Sequence, residues 1–228
     1  FAGDVFQSIQ KEPRESLLWY LLQQKDENIY QTYFKETPRV PRNILNTLKT
    51  TLSEYYPEFR EEISTWRSSN NHSDAEIIWK RFYSYNNIFN CVEDFCQEHP
   101  QEETMILTFS SAITVKGALG DVARLRRFLS QKEYDVNKNH KSMNVEKLFL
   151  STAHSSKGLE RDNVLVVLTF PLERAFVNFS DDLVVNILTV ALTRARKKVV
   201  IYVPAYEDKF SRVLNLYKKC PQPNKKRI

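Results

Sequence analysis

Four short apolar runs stand out along the chain: Met105–Phe109, Leu148–Thr152, Val164–Thr169 and Val199–Val203. They are rich in Val, Ile, Leu and Phe and barely alternate with polar positions. That is the pattern of strands in a parallel sheet covered on both faces. Around them the apolar spacing becomes helical. Gly120–Gln131 carries Val122, Leu125, Phe128 and Leu129 at that spacing, and Lys209–Lys219 carries Phe210, Val213, Leu214 and Tyr217. Leu183, Ile187, Val190, Ala191 and Arg194 fall on one helical face. The alternation predicts an α/β fold, a mostly parallel sheet with helices on both faces.

The first hundred residues differ. Glu15–Gln24 and Asn43–Tyr55 read as helices, the second opened by Pro41, whose missing N–H costs nothing in a first turn. Ser68–Ser73 is a polar break. Ala75–Gln97 reads as a long aromatic helix or pair of helices, with Ile78, Trp79, Phe82, Tyr85, Phe89, Val92 and Phe95. Those aromatics could stack bases, but their helical spacing favours core packing. The tail CPQPNKKRI reads as frayed.

Composition narrows the picture. The 228 residues are 42% hydrophobic, enough for one large domain or a domain with an appendage. The net charge of +5 favours an anionic partner only weakly. Cys91, Cys96 and Cys220 are odd in number and badly spaced for zinc, so free thiols in a reducing, intracellular compartment are expected and no metal site is. No apolar run approaches the roughly 20 residues that span a bilayer. The opening FAGDVFQ has no signal peptide and no initiator Met, and is expected to belong to a longer protein.

Only four glycines occur, and none pairs at the G-x-x-x-x-G-K-[ST] spacing of a phosphate loop. No apolar strand ends in Asp-Glu; Asp26 and Glu27 lie in a polar stretch. The chain by itself is not expected to hydrolyse a nucleotide.

Two segments nevertheless carry nucleotide-site chemistry. LSTAHSSKGLERDNV at Leu150–Val164 resembles motif V of UvrD/Rep-like superfamily 1 helicases, T-x-H-S-A-K-G-L-E-F. VALTRARKKVVIY at Val190–Tyr202 resembles their motif VI, V-A-x-T-R-A. Upstream and in order, GDVFQSIQ at Gly3–Gln10 resembles motif III and ETPRVPRNIL at Glu36–Leu45 resembles motif IV. The resemblance covers essentially the whole chain, but only the C-terminal half of a helicase motor. It implies a RecA-like P-loop NTPase fold with an α-helical N-terminal region. Residues 1–13 would end the first motor domain and 14–220 form the second, with a helical insertion at about 41–100 and a tail at 221–228.

In such motors ATP, with Mg2+, lies between two RecA-like domains, and the upstream one carries the phosphate loop and the Mg2+ ligands. The resemblance then implies that Arg194 (motif VI) and Arg39 (motif IV) meet the γ-phosphate, a use that suits the planar arginine fork. Arg196 would lie roughly 200° around a helix from Arg194, so only one of the two could face the cleft. Gln7 of motif III would sense the γ-phosphate. Glu160 would bind the ribose, with Gly158 allowing close backbone approach. Thr152, His154 and Ser155 would face the phosphates of single-stranded nucleic acid, DNA by the form of motif V with RNA open; Lys157 is either a phosphate contact or solvated.

Departures from the family pattern matter. Gln10-Lys11-Glu12-Pro13 replaces the base-stacking aromatic after motif III. Pro38 stands where motif IV carries the adenine-stacking aromatic; Tyr33 and Phe34 are the nearby substitutes. Arg161 replaces the usual Phe after Glu160. Asp181 and Asp182 stand in for acidic residues upstream of motif VI. Only the polar Lys132–Val145 is available where the family inserts an accessory subdomain. Two readings follow: the second motor domain of an ATP-dependent helicase, inactive without its partner domain, or a non-catalytic helicase-like module that binds nucleic acid or protein. An unrelated nucleotide-binding α/β protein such as a kinase fits the four ordered motifs poorly.

Overall fold

The computed structural model describes residues 35–69, 74–108, 121–137, 147–168, 180–205 and 211–217. The motif III segment with Gln7, the helix expected at Glu15–Gln24, Tyr33, Phe34, the inner part of the 132–145 loop and the tail lie outside them. The described elements are β1 Glu36–Thr37, α1 Arg42–Tyr55, α2 Arg60–Ser64, β2 Arg67–Ser68, β3 Glu76–Phe82 and α3 Tyr85–Glu98. They continue with β4 Thr104–Thr108, α4 Asp121–Gln131, β5 Phe149–Thr152, β6 Arg161–Val167, α5 Asp181–Leu192, β7 Ala195–Pro204 and α6 Ser211–Leu214.

Five strands form one parallel sheet in the order β3-β7-β6-β4-β5, and β1 pairs with β2 apart from it. Successive residues of each strand feed opposite faces. In β6, Val164 and Val166 join one core with α1, α2, α5 and α6, while Leu165 and Val167 join the other with α3 and α4. The expected helices on both faces are therefore present. Helix α5 is buried from Leu183 to Leu192 on every side rather than along one stripe. It starts where the Ser180 hydroxyl accepts from the Leu183 N–H (3.2 Å), with Asp181 and Asp182 in the first turn, where the helix dipole favours negative charge.

Three expectations need correction. The stretch Ala75–Gln97 is not helical throughout: Glu76–Phe82 is strand β3, paired along its length with β7. Ala75, Ile77 and Trp79 meet one core and Ile78 and Phe82 the other, a period of two. The helical spacing from Ile78 through Phe82 to Phe89 runs across a real boundary, where the Ser84 hydroxyl accepts from the Asn87 N–H and caps α3. The ten-residue β7 supplies a partner that no local pattern announces. Pro41 is the residue before the first turn of α1 rather than in it. Strand β6 begins at Arg161, three residues before the apolar run, because its polar start still pairs with Ala195.

The outer edge of β5 is closed by a side chain. Asn137, fully buried, accepts from the Leu150 N–H (2.7 Å) and donates to the Leu150 carbonyl (3.2 Å), as a neighbouring strand would. Val136 adds a bridge to Leu148. Cys91 and Cys96 are free, and burial pushes the Cys96 thiol up to about 12, which leaves it protonated and inert.

Replacing Asn137 by Ala strands two buried backbone groups and should lower stability by about 2–4 kcal/mol. Urea unfolding measures it; a change under about 0.5 kcal/mol, the range of ordinary surface substitutions, would mean that Asn137 does not close the edge.

Candidate functional site

The segment 153–160 runs from the end of β5 back to the start of β6, and so links the two ends of the parallel strands: a far edge at their C-terminal ends and a near edge at their N-terminal ends. Thr152 is level with Thr108, and Thr108 with Val167 at the end of β6. Glu160 lies just before Arg161 at the other end. At about 3.3 Å per residue the two levels are roughly 20 Å apart. The structure thus separates the sequence-predicted residues into two groups.

At the far edge stands the group Thr152, His154, Ser155 and Lys157. Thr152 Oγ1 accepts from the Ser155 N–H (3.2 Å) and lies 3.3 Å from Ser155 Oγ. The Ala153 N–H donates to Thr108 (3.1 Å), and buried Ser156 donates to the Ala153 carbonyl (2.8 Å). This turn presents His154 and Lys157 to solvent. Gly158 follows with φ +83°, which an L side chain rarely adopts, and a Cβ there would meet nothing within 4 Å. Glycine is required by the backbone itself, not by a close neighbour among the described residues.

Glu160, Arg39 and Arg194 gather at the near edge. The Arg39 guanidinium lies 3.1 Å from the Glu160 carboxylate, joining residues of motifs IV and V. Arg194 donates from Nη1 to the Leu159 carbonyl (3.2 Å), from Nε to Val190 (3.0 Å) and from Nη2 to Thr193 (2.9 Å). It is only 4% exposed, and its donors here hold two backbone carbonyls and the Thr193 hydroxyl. The expectation that Arg194 and Arg196 share a helix is corrected: α5 ends at Leu192, where the Thr193 hydroxyl turns back on the Thr189 and Val190 carbonyls, and Arg196 belongs to β7.

Several residues that hold this edge carry no motif signal. Asn43 uses its amide oxygen for the Ala75 N–H (3.0 Å) and its amide N–H for the Ala75 carbonyl, tying α1 to the start of β3. Its N–H meets Asp74 (3.2 Å). Ser68 donates to the Val40 carbonyl (2.6 Å), and Thr37 Oγ1 accepts from the Arg39 N–H (3.4 Å). Arg39 is therefore placed by contacts on both sides of it. Asn beside a helix start is the one local hint, since such amides satisfy free backbone groups.

Asp162 and Arg196 form the adjoining ion network. Arg196 meets Asp162 (2.8 Å) and Glu103 (3.0 Å), and Lys197 meets Asp162 (2.5 Å). Burial alone would raise the Asp162 pKa, but the Lys197 hydrogen bond and the Arg196 charge outweigh it and hold the carboxyl below its ordinary value. Among the described residues no group of three or more His, Cys, Asp or Glu side chains could hold a metal ion. Nor is any described helix long and apolar enough to cross a membrane.

Comparison with known proteins follows this geometry. The family described as UvrD-like helicase C-terminal domain matches residues 4–205. No curated protein sequence matches the chain. Among solved structures, the C-terminal domain of a possible DNA helicase from Lactobacillus plantarum WCFS1 is 13% identical, with TM-score 0.48, covering 76% of this chain and 91% of that one. Arterivirus nonstructural protein 10 (helicase) is 14% identical, with TM-score 0.36, covering 81% of this chain and 27% of that one. Both likenesses are too distant to bear on function.

The Asp162 network has a pH signature. Its folded pKa lies below the unfolded value near 3.8, so its contribution is complete above that value and is lost as pH falls through the folded one. The urea midpoint of the chain should drop more steeply between about pH 5 and pH 2 than that of Asp162→Asn. Equal slopes would remove Asp162 from the network.

Proposed function

The chain belongs to the UvrD-like helicase C-terminal domain family, and from that premise we propose that it is the second motor domain of an ATP-dependent superfamily 1 helicase or translocase. Its track would be single-stranded nucleic acid, DNA in preference to RNA. The observation that carries this reading is the meeting of Arg39, Glu160 and the Arg194 segment at one edge of the sheet. Three stretches distant in sequence supply two cations and one carboxylate there. That set suits a nucleoside triphosphate: a carboxylate accepts from ribose hydroxyls, and arginine forks meet phosphate oxygens.

The chemistry is phosphoryl transfer from ATP to water. Arg39 would leave Glu160 to stabilise charge on the γ-phosphate, and Arg194 would exchange a backbone carbonyl for a phosphate oxygen as the two domains close. Gln7 would join them from the motif III segment. The phosphate loop and the carboxylates for Mg2+ would come from the preceding domain, Mg2+ serving to neutralise phosphate charge. At the opposite edge Thr152, His154, Ser155 and Lys157 would contact the strand's phosphates, which fixes position without reading sequence. Segment 153–160 links the two edges directly, giving closure a route from ATP to the strand.

A second reading, a helicase-like module without catalysis, is favoured by one observation: each of the three Arg194 guanidinium nitrogens already makes a hydrogen bond within this chain. In the full-length protein, single-strand-stimulated ATP hydrolysis separates the two. Under the motor reading Arg39→Ala lowers kcat by about 10³-fold or more, and Arg194→Ala does likewise. A natural protein that binds single strands but turns over no ATP would establish the module instead. Either way, strand affinity should fall with salt, log K changing by about −0.7 per phosphate contact against log salt. A flat dependence would remove the strand-binding face.

A further inference from the structure

Arg161, next to Glu160, is one of the positions at which this chain departs from the family pattern at the site itself. The fold gives it an unusual task. Its N–H donates to the Arg194 carbonyl (3.0 Å), and its guanidinium Nη1 donates to the Glu160 carbonyl (2.9 Å). The Leu159 carbonyl is held in turn by Arg194 Nη1 (3.2 Å). Two successive carbonyls, those of Leu159 and Glu160, are thus each gripped by a guanidinium, and the next N–H is gripped by backbone.

Arg161 is 8% exposed, and its guanidinium lies 5.9 Å over the Phe149 ring. The Phe expected from the family pattern could cover Phe149 as well, but an aromatic has no donor for the Glu160 carbonyl. Arginine keeps the packing and adds a charge-assisted hydrogen bond. The segment it grips follows Gly158, whose φ of +83° marks the last turn before the strand. Without the grip on the Glu160 carbonyl, that peptide is held only through the Arg161 N–H on the Arg194 carbonyl, and the direction of the Glu160 side chain is less firmly set.

We propose that Arg161 is a positioning residue: by binding the Glu160 carbonyl it sets the direction of the Glu160 carboxylate and so the recognition of the nucleotide's ribose. This rests on the reading of Glu160 as the ribose ligand. Arg161 touches no substrate in this scheme and acts through Glu160 alone.

The test compares ATP with 2′,3′-dideoxy-ATP in single-strand-stimulated hydrolysis by the full-length protein. The natural protein should prefer ATP by about tenfold or more in kcat/KM, because a carboxylate left without its hydroxyl partners is penalised. Arg161→Phe, the packing replacement, should lose most of that preference, mainly through KM for ATP. Arg161→Lys, which keeps the charge and a donor nitrogen, should fall between. General loss of folded protein lowers both substrates equally and leaves the ratio unchanged. Glu160→Ala is run alongside, and combined with Arg161→Phe it should add no further loss of preference. Preference retained in Arg161→Phe but abolished in Glu160→Ala overturns the positioning role alone. Preference retained in Glu160→Ala overturns the ribose reading beneath it.

Discussion

The pairing of β6 with β7 is the constraint on which the rest depends. It starts where the Arg161 N–H donates to the Arg194 carbonyl and runs to Val167 beside Tyr202. A parallel pair needs a long crossover, and α5 lies in that connection. Because α5 is buried on every side from Leu183 to Leu192, it can only lie between the sheet and the helices α1 and α6, and that layer fixes the height of its last turn. The end of motif V and the end of motif VI are therefore side by side as a consequence of core packing.

From this pairing the near edge assembles outward. Arg194 and Arg161 bind the carbonyls of Leu159 and Glu160, Arg39 arrives from a short loop fixed by Thr37, Ser68 and Asn43, and Asp162 with Arg196 and Lys197 closes the flank. The arrangement is mostly side chain to backbone, which locates main chain more firmly than exposed ion pairs do. Among the described residues only the Arg39–Glu160 pair joins two site residues through their charged ends, and the Arg39 side chain is 60% exposed. An exposed pair of that kind is weakly held and easily exchanged for a ligand, whereas the Arg194 and Arg161 bonds beneath it are partly or fully buried.

Much of the site was legible as motif residues but not as an arrangement. The spacing of STAHSSKGLE told that Thr152 and Glu160 belong to one loop. It did not tell that they lie at opposite edges of the sheet, because that follows from β5 ending and β6 starting at different levels. Arg196 looked like a competitor of Arg194 on one helix. Termination of α5 by Thr193 puts it in a strand, where it serves Asp162 and Glu103. Asn43, Ser68 and Asn137 carried little or no signal, since a polar side chain that satisfies backbone is indistinguishable in sequence from one that faces water.

What the sequence determined by itself is what local burial can encode. Uninterrupted Val, Ile and Leu runs make strands covered on both faces, helical spacing makes α1 and α4, and the motif strings identify the family. What only the tertiary structure decided is partnership over long separations. Glu76–Phe82 becomes a strand because β7 offers an edge more than a hundred residues on. Leu150 has a neighbour because Asn137 imitates one, and Glu160 has a counter-charge because Arg39 comes from the opposite end of the chain. A residue's hydrophobicity records whether it will be buried. The group that will meet its hydrogen bonds and charge is chosen only when distant segments reach the same place.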